Sequence, residues 1–224
     1  MRGLTLPIKE LRDETPAFRT FVFDLPEELK GYQAGQFVMI HLEGQPKSRA
    51  YTFSSSPTEK NVFCFTVQRE EKSRVVGALF EKKVGDTLSI QGPMGKFTLL
   101  SEPAPEAVFI TAGPGITPLR SMIKSLKDTG HLGKIHLLYG ENPQAGTPFL
   151  KEFESWGLRV ERHPWAWGSE FPTEAQIDTL LQSMASDIQK THFYLCGLGD
   201  LVPHTLELLK SKNVPAALIR SEKW

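Results

Sequence analysis

The sequence predicts a two-part fold, an antiparallel β-barrel followed by a parallel sheet with helices on both faces. In the first part, short alternating runs at 20–23, 37–40 and 61–67 are separated by turn residues, which is typical of an antiparallel barrel. In the second part, apolar runs alternate with helical periodicity, which predicts a doubly wound sheet. The pattern changes at residues 101–106, a segment rich in proline and glutamate. We therefore expect two domains, 1–102 and 103–224.

The remaining elements follow from local patterns in chain order. One helix is expected to interrupt the barrel at 74–81, where Val75, Ala78 and Leu79 share one side. The segment 165–168, which contains two tryptophans, is predicted to be a loop clamped by buried indoles. In the second part, we expect buried strands at 107–111, 134–139, 158–162 and 192–196, and helices at 117–128, 148–155, 174–185 and 200–211.

Composition limits the possible functions. The chain has 224 residues, with 26 Lys plus Arg balanced by 26 Asp plus Glu, so nothing indicates nucleic-acid binding. No segment approaches the roughly 20 apolar residues of a membrane span, and the N-terminus lacks the apolar core of a signal peptide. We therefore expect a cytoplasmic protein. Two cysteines cannot supply the four ligands of an iron–sulfur cluster, and the six histidines lack metal-binding spacing, so no metal site is expected.

The stretch 49–55 combines a cation, an aromatic ring and a hydroxyl on one predicted strand. The guanidinium of Arg49 suits a phosphate, and the ring of Tyr51 can lie on a flat heterocycle. The hydroxyl of Thr52 can hydrogen-bond a ring nitrogen or carbonyl. We expect these groups to project from one face of the strand, and that face could hold a flavin. Taken alone, the same string is also compatible with an ordinary half-buried strand.

A second nucleotide signal follows the predicted strand at 107–111. Gly113 and Gly115 allow a tight turn and a close approach to a ligand. Thr117 and Pro118 are predicted to be the N-cap and first residue of the next helix. That helix would direct its free N–H groups and positive dipole end at a pyrophosphate. Pro118 stands where the usual dinucleotide fingerprint has its third glycine.

Together and in this order, the two motifs resemble those of the ferredoxin–NADP reductase superfamily of flavoprotein reductases. Four further pieces extend the resemblance over nearly the whole chain: Gly-Gln-Phe at 35–37, a segment at 92–97 that resembles the family's loop closing the barrel near the flavin phosphates, Tyr-Leu-Cys-Gly at 194–197 and the acidic-x-aromatic ending at 222–224. The resemblance implies an N-terminal Greek-key β-barrel that binds flavin and a Rossmann-like domain that binds the nicotinamide. It also implies hydride transfer from NAD(P)H to flavin, then electron transfer to a redox partner such as a ferredoxin, a flavodoxin or an oxygenase component.

The resemblance also implies roles for individual residues. Thr52 would hydrogen-bond the N5 region of the flavin, Cys196 would lie beside the nicotinamide, and Glu222 would hold the local hydrogen-bond network. Tyr51 and Trp224 would cover opposite faces of the isoalloxazine. The implied cofactor-binding residues are Arg49, Ala50, Tyr51, Thr52, Lys72, Arg74, Val75, Val76, Gly92, Met94, Gly95 and Trp224 for the flavin, and Gly113, Pro114, Gly115, Thr117, Glu141, Cys196 and Gly197 for the nicotinamide.

The chain departs from the family at the helix predicted at 74–81. The family usually opens this helix with a glycine-rich stretch and a serine, whereas Val76 stands at the serine position here. Flavin phosphate would then depend on backbone donors helped by Lys72 or Arg74. FAD is favoured because the family uses it, and FMN is the alternative.

The choice between NADH and NADPH depends on Glu141, which follows the second predicted strand of the nicotinamide domain. A carboxylate there accepts the ribose 2′-hydroxyl and repels a 2′-phosphate, which favours NADH. Arg162 or Lys151 reaching the same place would favour NADPH instead.

Three other functions remain open. The chain could be an electron-transfer subunit with little activity on free NAD(P)H, although Gly113 and Gly115 are intact. It could be a non-catalytic nucleotide-binding module, which would be colourless. A dehydrogenase with its own organic substrate is disfavoured, because the sequence contains neither a Tyr-x3-Lys pair nor a substrate domain after the second sheet.

Overall fold

The computed structural model describes residues 3–44, 47–102, 104–131, 133–158, 160–163, 172–183, 187–197 and 199–224. The predicted indole-clamped loop at 165–168 lies outside these ranges.

The first half of the chain forms two antiparallel sheets, which confirms the prediction that its strands are antiparallel. Its strands are β1 (Leu4–Pro7), β2 (Glu10–Thr15), β3 (Phe18–Asp24), β4 (Phe37–His41), β5 (Arg49–Thr52), β6 (Val62–Gln68) and β7 (Thr87–Met94). One sheet has the order β1-β7-β4-β5 and the other β2-β3-β6. The sheets meet where Phe53, just after β5, forms a bridge to Phe65 of β6.

Stacked phenylalanines fill the core between these sheets. Phe21 and Phe23 of β3 lie opposite Phe65 and Phe63 of β6, with ring centroids 5.1 and 5.0 Å apart. All four rings are fully buried. Burying each one contributes roughly 1.5–3 kcal/mol, so β6 is a firmly held strand against which neighbouring elements can be placed.

The helix predicted at 74–81 is observed as α1 (Arg74–Phe80). Ser73 is its N-cap, and its side-chain oxygen accepts a hydrogen bond from the Val76 N–H at 3.3 Å. Val76 and Leu79 point into the core of the first half, which ties the start of this helix to the sheets.

The second half is a five-stranded parallel sheet with helices on both faces, as predicted. The strands are β8 (Glu106–Ala112), β9 (Lys134–Gly140), β10 (Val160–His163), β11 (His192–Gly197) and β12 (Ile219–Lys223). The helices are α2 (Ile116–Asp128), α3 (Leu150–Ser155), α4 (Glu174–Ser183) and α5 (Leu201–Ser211). One apolar cluster packs under α2 and α3, and the other under α4 and α5.

The strand order is β10-β9-β8-β11-β12, so the chain reverses direction across the sheet at β8. In open parallel sheets, ligands bind outside the carboxyl ends of the strands at such a reversal. This geometry points to the ends of β8 and β11, where Gly113 and Gly197 lie. Among the residues that the structure describes, no helix combines the length and apolar character needed to cross a bilayer.

Candidate active site

The glycine turn after β8 is a single 3₁₀ turn, Gly113–Gly115. Gly113 has a φ of 55°, in the left-handed region that favours glycine. A Cβ on Gly115 would lie 2.5 Å from the carbonyl oxygen of Cys196 and 2.4 Å from the Thr111 hydroxyl. Packing of the turn against β11 therefore excludes a side chain at Gly115 before any ligand is considered.

The prediction that Thr117 caps the following helix is wrong. α2 begins at Ile116 with Gly115 in the cap position, so Thr117 and Pro118 lie within the first turn. The Thr117 hydroxyl is buried and has no hydrogen-bond partner among the described residues, and the same holds for Thr111 at the end of β8. A buried unpaired hydroxyl costs roughly 1–3 kcal/mol. Two such groups beside the glycine turn are therefore well suited to a polar ligand such as a pyrophosphate or a carboxamide.

The parallel register aligns three side chains across the ends of the strands. Cys196 of β11 lies opposite Thr111 of β8 on one side and opposite Glu222 of β12 on the other. The structure thus brings together two of the predicted catalytic residues, Cys196 and Glu222. The sequence does not single out Thr111, whose signal is its position two residues before the first glycine of the motif.

Burial sets the protonation of this row. The Cys196 side chain is fully buried, and burial raises its pKa well above the ordinary value of a thiol. Cys196 is therefore a neutral neighbour of the site and not a thiolate nucleophile. Burial also raises the pKa of Glu222, while a hydrogen bond from the Trp224 indole N–H, at 3.1 Å, opposes that rise. The main-chain N–H of Trp224 donates to the Gly197 carbonyl at 3.1 Å, and the residue is 40% exposed.

β5 carries the predicted flavin motif at the edge of its sheet. The side chain of Arg49 is exposed and forms no hydrogen bond or ion pair with the described residues. The Tyr51 ring stacks on Phe65 at 5.3 Å, and burial raises its pKa to about 12. Thr52 is buried. Because successive strand residues face opposite ways, Thr52 does not share the face of Arg49 and Tyr51, so the expected single-face arrangement is wrong.

β6 connects the two parts of the site. Its Phe65 supports the Tyr51 ring, and the same strand lies against the Gly113–Gly115 turn. The predicted flavin strand and the predicted nicotinamide turn are therefore neighbours across a single strand.

The start of α1 presents a smaller donor set than expected. The Val76 N–H already has the Ser73 side chain as its acceptor, and the Val76 side chain is buried, so Val76 is not the free backbone donor of the sequence prediction. Arg74 and Val75 occupy the first turn, where backbone N–H groups lack intrahelical acceptors. The side chains of Lys72 and Arg74 are exposed beside them.

Gly92 and Met94 lie in β7 and not in a loop, which corrects the prediction for this segment. A Cβ on Gly92 would lie 2.9 Å from the Val38 side chain. Gly95 has a φ of 104°, and a Cβ there would lie 3.0 Å from the Phe37 ring. Packing against β4 thus accounts for both glycines.

Glu141 follows β9 at the same edge of the sheet as the glycine turn. Its carboxylate accepts a hydrogen bond from the Thr147 hydroxyl at 2.5 Å and lies 3.5 Å from the Arg162 guanidinium. Its main-chain N–H donates to the His163 carbonyl at 2.8 Å. The two opposing determinants of nicotinamide choice, Glu141 and Arg162, are therefore in contact with each other. No group of three or more His, Cys, Asp or Glu side chains able to hold a metal occurs within the described ranges.

Two family models match consecutive parts of the chain. The oxidoreductase FAD-binding domain matches residues 5–99, and the oxidoreductase NAD-binding domain matches residues 109–206. Among curated relatives, a glycine betaine monooxygenase reductase subunit from Chromohalobacter salexigens is 31% identical, over 94% of this chain and 61% of its own length. Ferredoxin–NADP reductase B from Sorangium cellulosum is 27% identical, over 100% of this chain and 94% of its own length. The chain thus spans about three fifths of the length of the monooxygenase reductases it matches first.

Solved structures share the fold. The FAD/NAD-binding domain of a nitric oxide dioxygenase from Vibrio cholerae superposes with a TM-score of 0.82 at 24% identity, over 100% of this chain and 99% of that chain. A ferredoxin–NADP⁺ reductase from Neisseria gonorrhoeae, solved with bound FAD and NADP, has a TM-score of 0.82 at 18% identity, with the same coverage.

Proposed function

Because the chain belongs to the ferredoxin–NADP reductase superfamily of FAD-dependent NAD(P)H oxidoreductases, we propose that it takes a hydride from NADH or NADPH and passes the electrons to an acceptor outside residues 1–224. We assign FAD to a domain of residues 1–102 and the nicotinamide to a domain of residues 103–224. When bound, FAD accepts two electrons as a hydride from the nicotinamide C4 and releases them one at a time.

One observation carries the proposal. Thr111 and Cys196 of the strand-end row lie against the glycine turn, the turn lies against β6, and Phe65 of β6 stacks on Tyr51. Because the flavin strand and the nicotinamide turn both lie against β6, this arrangement supports a site that holds two flat rings next to each other. Catalysis would then depend mainly on positioning.

On the flavin side, we assign the charged contacts to side chains. Arg49 would pair with a flavin phosphate, and Lys72 and Arg74 would add charge beside the backbone donors of α1. Tyr51 would support the isoalloxazine from the face opposite Phe65, and Thr52 would offer its hydroxyl to the N5 region. Among the other predicted flavin contacts, Ala50 would offer only backbone, and Gly92, Met94 and Gly95 would shape the wall.

On the nicotinamide side, the groups are mainly backbone and buried hydroxyls. The turn Gly113–Gly115, which includes Pro114, and the Thr117 hydroxyl would hold the pyrophosphate. Cys196 and Gly197 would border the nicotinamide ring. Glu222 would orient the local hydrogen bonds, and Trp224 would cover the flavin face that the nicotinamide occupies. Glu141 would accept the ribose hydroxyl of NADH.

For the acceptor, we propose an oxygenase component or a ferredoxin, and a flavodoxin is the alternative. Relatives are named as the reductase subunit of a glycine betaine monooxygenase, the reductase component of a propane 2-monooxygenase and the electron transfer component of a toluate 1,2-dioxygenase. The chain has two cysteines, too few for a four-thiolate cluster, so a one-electron acceptor has to come from outside these residues.

The first experiment is the absorbance spectrum of the purified protein, followed by anaerobic titration with NADH and with NADPH. The proposal is supported if NADH or NADPH bleaches the flavin absorbance at least as fast as the protein turns over in the steady state. A colourless protein that does not take up added FAD overturns it in favour of a nucleotide-binding module. Bound flavin that neither nicotinamide reduces points to an electron-transfer subunit. Reduced protein is then mixed with purified ferredoxin, flavodoxin or oxygenase component to identify the acceptor.

Thr117→Val tests the nicotinamide side specifically. The substitution removes a buried hydroxyl that has no partner, so we expect a more stable protein, by roughly 1 kcal/mol, with unchanged flavin content. If the hydroxyl binds the dinucleotide, the apparent KM for nicotinamide rises at the same time. A gain in stability without a change in KM would remove Thr117 from the site.

A further inference from the structure

Arg120 of α2 is a charged residue buried where the two halves of the chain meet, with 7% of its surface exposed. One guanidinium nitrogen donates to the main-chain carbonyl of Ser54 at 2.5 Å. The other two form a two-pronged pair with the Glu152 carboxylate of α3, at 2.7 and 2.6 Å. Burial disfavours its charge, but the hydrogen bonds and charges of Glu152 and Glu59 raise its pKa overall, so Arg120 is held as a cation.

The neighbouring residue makes a parallel contact. The Ser121 hydroxyl donates to the Ser55 carbonyl at 2.5 Å. Two successive residues of α2 therefore hold the two successive carbonyls that follow the flavin strand. Ser54 and Ser55 are almost completely buried, and buried carbonyls must be paired. The Ser55 carbonyl also accepts from the Tyr32 hydroxyl at 3.1 Å, so the pairing of the Ser54 carbonyl by Arg120 is the contact in this seam that depends on the position of α2.

These bonds connect the two parts of the proposed site by a short, rigid path. Ser54 is two residues beyond Thr52. Arg120 lies about one helical turn beyond Ile116, the first residue after the glycine turn. A shift of α2 along the seam would move the glycine turn relative to Tyr51. Hydride transfer needs reacting atoms about 3–3.5 Å apart, and a misplacement of about 1 Å can cost on the order of 100-fold in rate.

We propose that Arg120 is a positioning residue, which seats the nicotinamide half on the flavin strand and thereby sets the rate of hydride transfer. This role rests on the proposed function and deepens it. The packing around the guanidinium suits such a role, because the rings of Phe149 and Trp156 lie 5.3 and 5.8 Å from its central carbon. A planar, five-donor guanidinium binds the Glu152 carboxylate through two hydrogen bonds and still donates to the Ser54 carbonyl, whereas an ammonium lacks this fixed two-pronged geometry.

The test compares the flavin-loaded parent with Arg120→Gln, Arg120→Lys and Glu152→Gln. The matched control is Lys212→Gln, because Lys212 also bridges two carboxylates, Glu174 and Asp178, but within the second half of the chain. Two quantities are measured for each protein: the rate of flavin reduction at saturating nicotinamide in a single turnover, and deuterium exchange of the amides at 54–64 and along α2.

We expect Arg120→Gln to keep its flavin and its KM for nicotinamide within twofold, while flavin reduction slows at least tenfold. Exchange should rise at Ser54 and Cys64, whose amides belong to the buried seam. Flavin reduction should be faster in Arg120→Lys than in Arg120→Gln, and Glu152→Gln should slow it less than Arg120→Gln does. Lys212→Gln should reduce its flavin at the parental rate. If Arg120→Gln does not fold, the lysine and Glu152→Gln variants decide, because both keep the buried volume nearly unchanged.

Parental rates in the Arg120 variants, whatever their stability, would overturn the proposal and leave Arg120 a structural residue. If neither NADH nor NADPH reduces the parent, the proposed function is what fails. The exchange measurement then decides alone, and parental protection at 54–64 in Arg120→Gln would overturn the seating role.

Discussion

The flavin half and the nicotinamide half of the proposed site present different groups to a ligand. β5 is an edge strand on which Arg49 and Ala50 are exposed and Tyr51 is half-buried. A ligand there meets side chains. On the other half, Gly113, Gly115 and Thr117 are buried, and the turn is packed against the main chain of β11. A ligand there meets backbone and buried hydroxyls.

The difference determines what a substitution does. A side chain that has no partner within the protein can be removed without disturbing the fold, so its loss should appear in affinity. A glycine whose Cβ has no space cannot be replaced without moving the backbone, so its loss should appear in stability. The first half of the site is therefore the place to measure binding, and the second is the place to measure folding.

The largest expected effect is that of Gly115→Val. The added side chain would collide with the Cys196 carbonyl and the Thr111 hydroxyl, so we expect a loss of about 3 kcal/mol in the free energy of unfolding, measured by urea denaturation. The control is Gly77→Ala in α1, where a Cβ meets no atom within 4 Å; it should gain up to about 1 kcal/mol. A fully stable Gly115→Val protein with a raised KM for nicotinamide would show that the turn has room and that the ligand needs it.

Arg49→Ala should weaken flavin binding about tenfold or more, because a charge-assisted hydrogen bond to phosphate is worth roughly 1.5–3 kcal/mol. The melting temperature of the flavin-free protein should not change, since Arg49 has no hydrogen-bond or ion-pair partner within the described residues. Arg12→Ala is the control, because Arg12 pairs with Glu10 on the surface. The measurement is the flavin dissociation constant, determined by fluorescence for each protein. Equal values for Arg49→Ala and the parent would remove Arg49 from the phosphate site.

Glu141→Gln tests nicotinamide choice. The change removes a negative charge and releases Arg162 from its 3.5 Å contact, so a 2′-phosphate is no longer repelled. An exposed charge interaction is worth roughly 1 kcal/mol, which corresponds to about a fivefold rise in the ratio of kcat/KM for NADPH to that for NADH. Glu161→Gln, on the neighbouring strand, should leave the ratio unchanged. No change in Glu141→Gln would mean that the carboxylate does not face the ribose.

Periodicity in the sequence predicts most of the fold, and two of the strands that it misses, β2 and β12, share a cause. The strands at 107–111, 134–139 and 192–196 consist mainly of apolar residues and are found as predicted. β2 and β12 are not predicted, because they read Glu-Leu-Arg-Asp-Glu-Thr and Ile-Arg-Ser-Glu-Lys. Both are held by pairing with a buried neighbour strand, which a local pattern does not reveal.

The same limit applies to the site. Linear motifs identify Tyr51 and the glycine turn, because each is a contiguous string. Thr111 joins the row only through the register of β8 with β11, and Arg120 becomes a seam residue only through Ser54, which lies 66 positions away in the chain. Contacts between residues this far apart in the chain depend on how the strands and the two halves pack. The sequence therefore predicts the motifs but not the residues that hold them in place.

Substitution of Trp224 tests whether the nicotinamide half also offers a side chain that contacts the flavin. If its indole covers the flavin, its removal should alter the flavin absorbance envelope and tighten binding of the oxidised nicotinamide, by roughly 0.5–1.5 kcal/mol. Difference spectra of Trp224→Ala titrated with NAD and NADP measure both. Trp224→Phe, which keeps a ring, should lie between the two proteins. Superimposable titrations of Trp224→Ala and the parent would place the indole outside the site.

The smallest effect concerns the one carboxylate of the strand-end row. Burial raises the pKa of Glu222 in the folded protein above the ordinary value of a glutamate, so folding favours the protonated form. The contribution of Glu222 to stability is therefore fully present below the unfolded pKa and is lost as the pH rises through the folded pKa. Glu222→Gln stays neutral at every pH. We expect it to melt on the order of 1 °C above the parent at pH 7, and the gain should disappear on acidification to about pH 4. A gain that is constant from pH 4 to pH 8 would mean that the amide stabilises through new hydrogen bonds and not through the lost charge.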